Sequence, residues 1–283
     1  MANQDVFQGS ANYIAGSDLL YAVNISISLA KPLLIKGEPG TGKTMLAEAI
    51  AEALDKQLII WSVKSTTKAK DGLYVYDTVQ RLYDSQFNEA DVSDIRKYIH
   101  PGKLGEAFMA AKQPVLLIDE IDKADLEFPN DLLWELDKME FYIPETKETV
   151  KAIHRPIVII TSNAEKELPD AFLRRCIFHY IAFPDPETMR KIIAVHFDDL
   201  EDKLVDAALE SFYWLRSVRD LQKKPATSEL IDWVRALQIS GIPVERLAED
   251  LPFAGVLLKK NQDLEMVEAA RKREHDMRGR GIY

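Results

Sequence analysis

The chain has 283 residues, 47% of them hydrophobic and 29% charged, with a formal net charge of −10 at pH 7. That length exceeds one small core and points to a large domain followed by a smaller one, in an ordinary soluble globular protein. The acidic balance argues against sequence-independent nucleic-acid binding, which relies on Lys and Arg displacing counterions.

No apolar run approaches the length of a membrane span. Residues 1–5, Met-Ala-Asn-Gln-Asp, lack the basic and apolar regions of a secretory leader. The lone cysteine, Cys176, leaves no internal disulfide and fits a reducing cytoplasm. The expected location is therefore cytoplasmic.

Along the chain, residues 13–29 predict a helix, with Leu19, Leu20, Val23 and Ile27 spaced by three to four. Tyr13 and Ile14 are either contacts for a nucleotide base or ordinary core. The apolar run Pro32-Leu33-Leu34-Ile35 predicts a strand. It leads into Gly37-Glu38-Pro39-Gly40-Thr41-Gly42-Lys43-Thr44 and then, from Met45, into a helix. The spacing G-x-x-x-x-G-K-[ST] between strand and helix is that of a phosphate-binding loop. A polyphosphate concentrates negative charge in a small volume. Glycines let the backbone wrap it with N–H donors, and the helix start adds unpaired amides and a positive dipole end. Lys43 is expected to reach the β- and γ-phosphates and Thr44 to offer its hydroxyl to Mg²⁺.

Residues 58–63 predict a second strand, 64–72 a polar loop, and 77–87, 91–98 and 104–111 helical stretches. The run 114–118 is continuously apolar and ends in Asp119-Glu120, which predicts a buried parallel strand with two carboxylates at its tip. Ligands sit at that edge of open parallel sheets. Asp119 is expected to hold Mg²⁺ opposite Thr44, and Glu120 to orient the water that attacks the γ-phosphate. Residues 122–140 predict an amphipathic helical region and 141–153 a hairpin. Residues 156–163 predict a fourth strand ending in Asn163, either a hydrogen-bonding partner for water and phosphate or a turn former. Arg174 and Arg175 follow a short helix, and 177–183 predict a fifth strand. Past Pro184-Asp185-Pro186 the pattern is helical, over 187–197, 202–217, 227–238 and 243–250, with a charged tail from Lys259. The five histidines are scattered and give no metal-ligand spacing.

The phosphate loop, Asp119-Glu120, Asn163 and the segment Leu168-Pro169-Asp170-Ala171-Phe172-Leu173-Arg174-Arg175 together resemble an AAA+ ATPase. Residues 32–40, 155–163 and the hairpin at 141–153 are similar to the MoxR branch of that family. The resemblance implies a P-loop NTPase domain of α/β class with a parallel five-stranded central sheet over 1–184, and a small all-α lid over 185–283. It implies ATP and Mg²⁺ as cofactors and a homo-oligomeric ring, usually a hexamer, with nucleotide between subunits. In that ring residues 37–45 would hold nucleotide, Asn163 would be the first sensor, and Arg175 the finger into the neighbouring site, with Arg174 second choice. The family's second-sensor arginine is missing from 223–229, and Lys224 or the preceding Arg219 is the alternative for that role. The resemblance further implies a chaperone-like motor for a protein client, working with a von Willebrand factor A domain partner. Leu73-Tyr74 and the hairpin are its candidate client contacts, and ordinary core is the other reading of Leu73-Tyr74. The alternative function is a nucleic-acid-dependent motor, helicase-like or clamp-loader-like.

Overall fold

The computed structural model describes residues 6–10, 12–87, 92–163, 165–244 and 246–279. Two compact units emerge: residues up to Glu38 with Gly42–Ala182, and Pro39–Thr41 with residues from Phe183 onward.

In the first unit, α1 (Ser17–Leu29) precedes β1 (Leu33–Gly37), α2 (Lys43–Ala53) and β2 (Leu58–Ser62). Then come α3 (Ala69–Leu73), β3 (Tyr74–Tyr76), α4 (Thr78–Phe87), β4 (Ile99–Pro101) and α5 (Lys103–Met109). After β5 (Val115–Asp119) come α6 (Phe128–Asp131), α7 (Leu133–Lys138) and the hairpin strands β6 (Glu140–Ile143) and β7 (Glu148–Lys151). The unit closes with β8 (Ile157–Ser162), α8 (Asp170–Leu173) and β9 (Ile177–Ile181).

Five of these strands form one parallel sheet in the order β2-β5-β8-β1-β9. Strand residues alternate between faces. Leu34, Leu116, Ile118, Val158 and Ile160 enter one core cluster with Trp61, Phe108, Phe128 and Phe141. Leu33, Ile35, Val115, Leu117, Ile157 and Ile159 enter another with Val23 of α1 and Leu46 and Ile50 of α2. A sheet covered on both faces needs apolar residues at every position, which is why β5 and β8 read as unbroken apolar runs. The same parity places Asp119 and Thr161 on the face that carries α2.

Several expectations are revised. The helical region expected over 122–140 is present but divided. A 3₁₀ turn (Ile121–Lys123), α6 and α7 share it, and Met139, at φ 54°, ends α7. The stretch 91–98 contains a 3₁₀ turn, Ile95–Tyr98, and its residue 91 lies outside the described residues. A two-stranded ribbon, β3 with β4, was not expected at all. Leu73 and Tyr74 are 9% and 3% exposed and belong to the core, which removes them as client contacts. Tyr74 stacks on Phe141, and its hydroxyl donates to Glu145 at 2.7 Å. The hairpin is present, β6 pairing antiparallel with β7, and Tyr142 on it is 54% exposed.

The second unit is helical: α9 (Pro186–His196), α10 (Asp202–Ser217), α11 (Thr227–Ser240), α12 (Arg246–Glu249), α13 (Ala254–Leu257) and α14 (Asn261–Gly279). Its core gathers Met189, Ile193, Phe212, Leu230, Trp233, Val234 and Leu247. Asp185 caps α9 by accepting from the Thr188 amide at 2.7 Å, and Pro186 begins the helix, where its missing N–H costs nothing. Arg219 and Lys224 are both exposed within this unit.

Candidate active site

The site lies at the C-terminal edge of the central sheet, where β1, β5 and β8 end side by side. Gly42 caps α2 at φ 80° and Gly40 sits at φ 74°, a left-handed conformation that side chains tolerate poorly. Their backbone turns the chain sharply from β1 into α2 and leaves the first-turn amides of α2 without helical partners. Tyr13 lies against Gly42, 3.4 Å from where a β-carbon would stand there, and burial pushes its phenol above the ordinary tyrosine range. Ile14 is 39% exposed.

Lys43 is 6% exposed, and its Nζ donates to the carbonyls of Gly37 (3.0 Å) and Glu38 (2.8 Å). Burial lowers its pKa below the ordinary lysine range. The charges of Asp122, Asp119, Glu120 and Glu38 offset part of that shift, in that order. Four carboxylates facing one buried ammonium keep a cation beside the loop.

Thr44, on the first turn of α2, donates to Asp119 at 3.1 Å. Thr161 of β8 donates to the same carboxylate at 2.6 Å and accepts from the Glu120 amide at 2.8 Å. Register explains the contact: Ile118 pairs with Ile160, so Asp119 and Thr161 are level on one face. Glu120 breaks the strand at φ 58°, ψ 50°. A non-glycine residue held there stores strain that surrounding bonds must sustain, a pattern common at functional sites. Its carboxylate accepts from Asn163 Nδ2 at 3.1 Å and pairs with Lys123. The hydrogen bond that Lys123 donates to Glu120 is the main reason the Lys123 ammonium lies above its ordinary range.

The structure thus brings together Lys43, Thr44, Asp119, Glu120 and Asn163. Sequence reasoning missed Thr161, Asp122 and Lys123 at this edge; only their position at or just past the ends of apolar runs marks them. Arg174 and Arg175 are not at this edge. Arg175 precedes β9, whose first residue Ile177 pairs with Leu33 at the start of β1 and whose last, Ile181, pairs with Gly37. That is four residues, or roughly 13 Å of strand, below the loop. Arg175 Nε bonds Asp137 at 2.6 Å and its Nη1 the Ala171 carbonyl at 2.8 Å, while Arg174 is exposed.

A hydroxyl and a carboxylate adjacent at 3.1 Å are hard oxygen donors that suit Mg²⁺. Among the described residues no group of three or more His, Cys, Asp or Glu is placed to hold a metal ion. Magnesium in phosphate-transfer sites needs no such cage, because phosphate and water complete its shell. Among the described residues, too, no helix is long and apolar enough to cross a membrane.

Comparison with known proteins gives a concordant answer. The family model described as "ATPase family associated with various cellular activities (AAA)" matches residues 33–184, just over half the chain. A mitochondrial Lon protease homolog from Phaeodactylum tricornutum is 31% identical over 226 residues, covering 73% of this chain and 21% of that protein. A Lon protease from Mycoplasma mobile is 36% identical over 104 residues, 35% of this chain and 10% of that one. The chain therefore spans about a fifth or less of the length of these relatives. Among solved structures, the Thermotoga maritima RuvB Holliday junction branch migration motor superposes with a TM-score of 0.50 at 15% identity, covering 83% of this chain and 67% of that chain. With a phosphate loop after β1, acids at the tip of β5, the five-stranded order β2-β5-β8-β1-β9 and a helical unit following in sequence, the chain belongs to the AAA family of ATPases.

Proposed function

We propose that this chain is a MoxR-type AAA+ ATPase, hydrolysing ATP with Mg²⁺ in a homo-oligomeric ring, usually a hexamer in that branch. In this reading it remodels or activates a protein client together with a von Willebrand factor A domain partner. Residues 1–184 are the nucleotide-binding domain and 185–283 the lid. The single cysteine fits work in a reducing cytoplasm.

The observation that carries the reading is the chain of contacts Thr44–Asp119–Thr161–Glu120–Asn163, which joins the ends of β5 and β8 to the first turn of α2. Residues 37–45 cradle the triphosphate, with Lys43 as the cation for its β- and γ-oxygens. Thr44 and Asp119 are the residues that would hold Mg²⁺, which when bound neutralises charge on the phosphates. Glu120 aligns a water for in-line attack on the γ-phosphorus and accepts its proton as the bond to ADP breaks. Asn163 holds Glu120 and the water in register. Arg175, set at the opposite end of β9, cannot serve its own chain's loop. A neighbouring copy is the site it can reach, where it offsets charge on the γ-phosphoryl group; Arg174 is the second choice. That role requires Arg175 to leave Asp137.

A protein client is supported over nucleic acid by the net charge of −10 and by relatives whose names are those of proteases. Tyr142 on the exposed hairpin takes the place of Leu73-Tyr74 as the candidate client contact.

The test is Glu120→Gln. The variant should bind ATP with unchanged affinity and turn over about 10²–10⁴-fold more slowly, the usual range for a lost general base. Held in ATP, it should retain client and partner in a pull-down. Turnover at the wild-type rate would remove Glu120 from the mechanism.

A further inference from the structure

Asp122 has no part in the reading above, yet it is 3% exposed and charged. A carboxylate withdrawn that far from water needs partners. Its two oxygens accept from main-chain amides 41 and 43 residues away, those of Asn163 (3.3 Å) and Glu165 (3.0 Å). The loop after β8 is thereby clamped to the 3₁₀ turn after β5. A second clamp crosses the same gap, where Lys166 Nζ donates to the carbonyls of Ala124 (2.9 Å) and Lys123 (3.4 Å). With its backbone fixed on Asp122, Asn163 presents its amide to Glu120 at 3.1 Å.

We propose that Asp122, supported by Lys166, is a positioning residue for hydrolysis: it holds the backbone of Asn163 so that Asn163 can orient Glu120. The inference rests on the assignment of Glu120 and Asn163 made above. Asp122 makes its hydrogen bonds to the Asn163 and Glu165 amides, while its charge also acts on Lys43 of the phosphate loop, so Lys166→Met, which leaves that charge in place, isolates the clamp. Its effect passes through geometry, and displacement of an orienting group by about 1 Å can cost about 10²-fold in rate.

The experiment is a double-mutant cycle. Turnover, KM and ATP affinity are measured for Asp122→Asn, Lys166→Met and Asn163→Ala, and for each of the first two combined with the third. Asp122→Asn should lower kcat about 10²-fold and Lys166→Met about tenfold; Lys166→Met, which keeps every carboxylate beside Lys43, should leave KM and ATP affinity within about twofold of wild type. In the Asn163→Ala background neither should lower kcat further, because groups acting through one residue are not additive. A merely structural role would instead multiply the losses, or move affinity and kcat together. Lys166 is exposed and its substitution leaves no buried charge unpaired, so Lys166→Met decides the matter if Asp122→Asn does not fold. Wild-type kcat in Lys166→Met, or multiplicative losses in either cycle, overturns the proposal. Glu120→Gln run alongside separates the two readings: full turnover there sinks the role of Glu120. A slow Glu120→Gln beside a fully active Lys166→Met sinks only the clamp.

Discussion

Thr161 shows how much one side chain holds at this site. It donates to Asp119 and accepts from the Glu120 amide, so both acids depend on it. Thr161→Val keeps the shape and removes both bonds. We expect a stability loss of about 1–3 kcal/mol, the cost of orphaned polar groups, measured by denaturant unfolding, together with slower turnover. Lys43→Ala should abolish ATP binding in equilibrium titration, because it deletes the one cation the loop encloses; unchanged affinity would count against the loop. Cys176 gives a control on packing. Its thiol is half-buried beside the Phe172 carbonyl, and burial, reinforced by Asp137, pushes its pKa up to about 12. Only the thiolate reacts, so at pH 8 the native protein should resist thiol reagents that modify it at once in denaturant.

Elements differ in how plainly the sequence announces them. β5 and β8 are buried on both faces, and unbroken runs of Val, Leu and Ile have few other uses at that length. Gly42 and Lys43 mark the start of α2 because phosphate binding needs those residue types there. The ribbon of β3 and β4 escapes notice, since three-residue strands show no period and their pairing spans some 25 residues. The region 122–140 reads as helical because Phe128, Leu132 and Leu136 keep helical spacing and are buried; its division is not legible, although Pro129 lies at the start of one short helix and Met139 stops another. At the site, Lys43, Thr44, Asp119, Glu120 and Asn163 are legible from motif and strand ends. Asp122 is not, because its partners are backbone amides that any residue supplies. Burial predicts a measurable contrast. Ile159→Ala in β8, fully buried, should cost about 2–5 kcal/mol, whereas Ile153→Ala, 63% exposed, should stay within about 0.5 kcal/mol. Equal losses would mean that the sheet is not the stabilising core.

For the whole molecule, the decisive fact is that Arg175 and the phosphate loop lie at opposite ends of parallel strands. No rotamer of one side chain crosses that interval, so a catalytic Arg175 requires a second copy. If Arg175 acts as the proposed finger, Arg175→Ala should bind ATP normally and lose about 10³–10⁵-fold in hydrolysis, the range typical of arginine fingers. The most direct measurement mixes Arg175→Ala with wild-type protein at fixed total concentration and follows ATP hydrolysis against the mutant fraction. Shared sites in a ring predict activity falling more steeply than the wild-type fraction, with ATP affinity unchanged. Full activity of Arg175→Ala alone, or activity from wild-type protein held monomeric by dilution, would contradict the account.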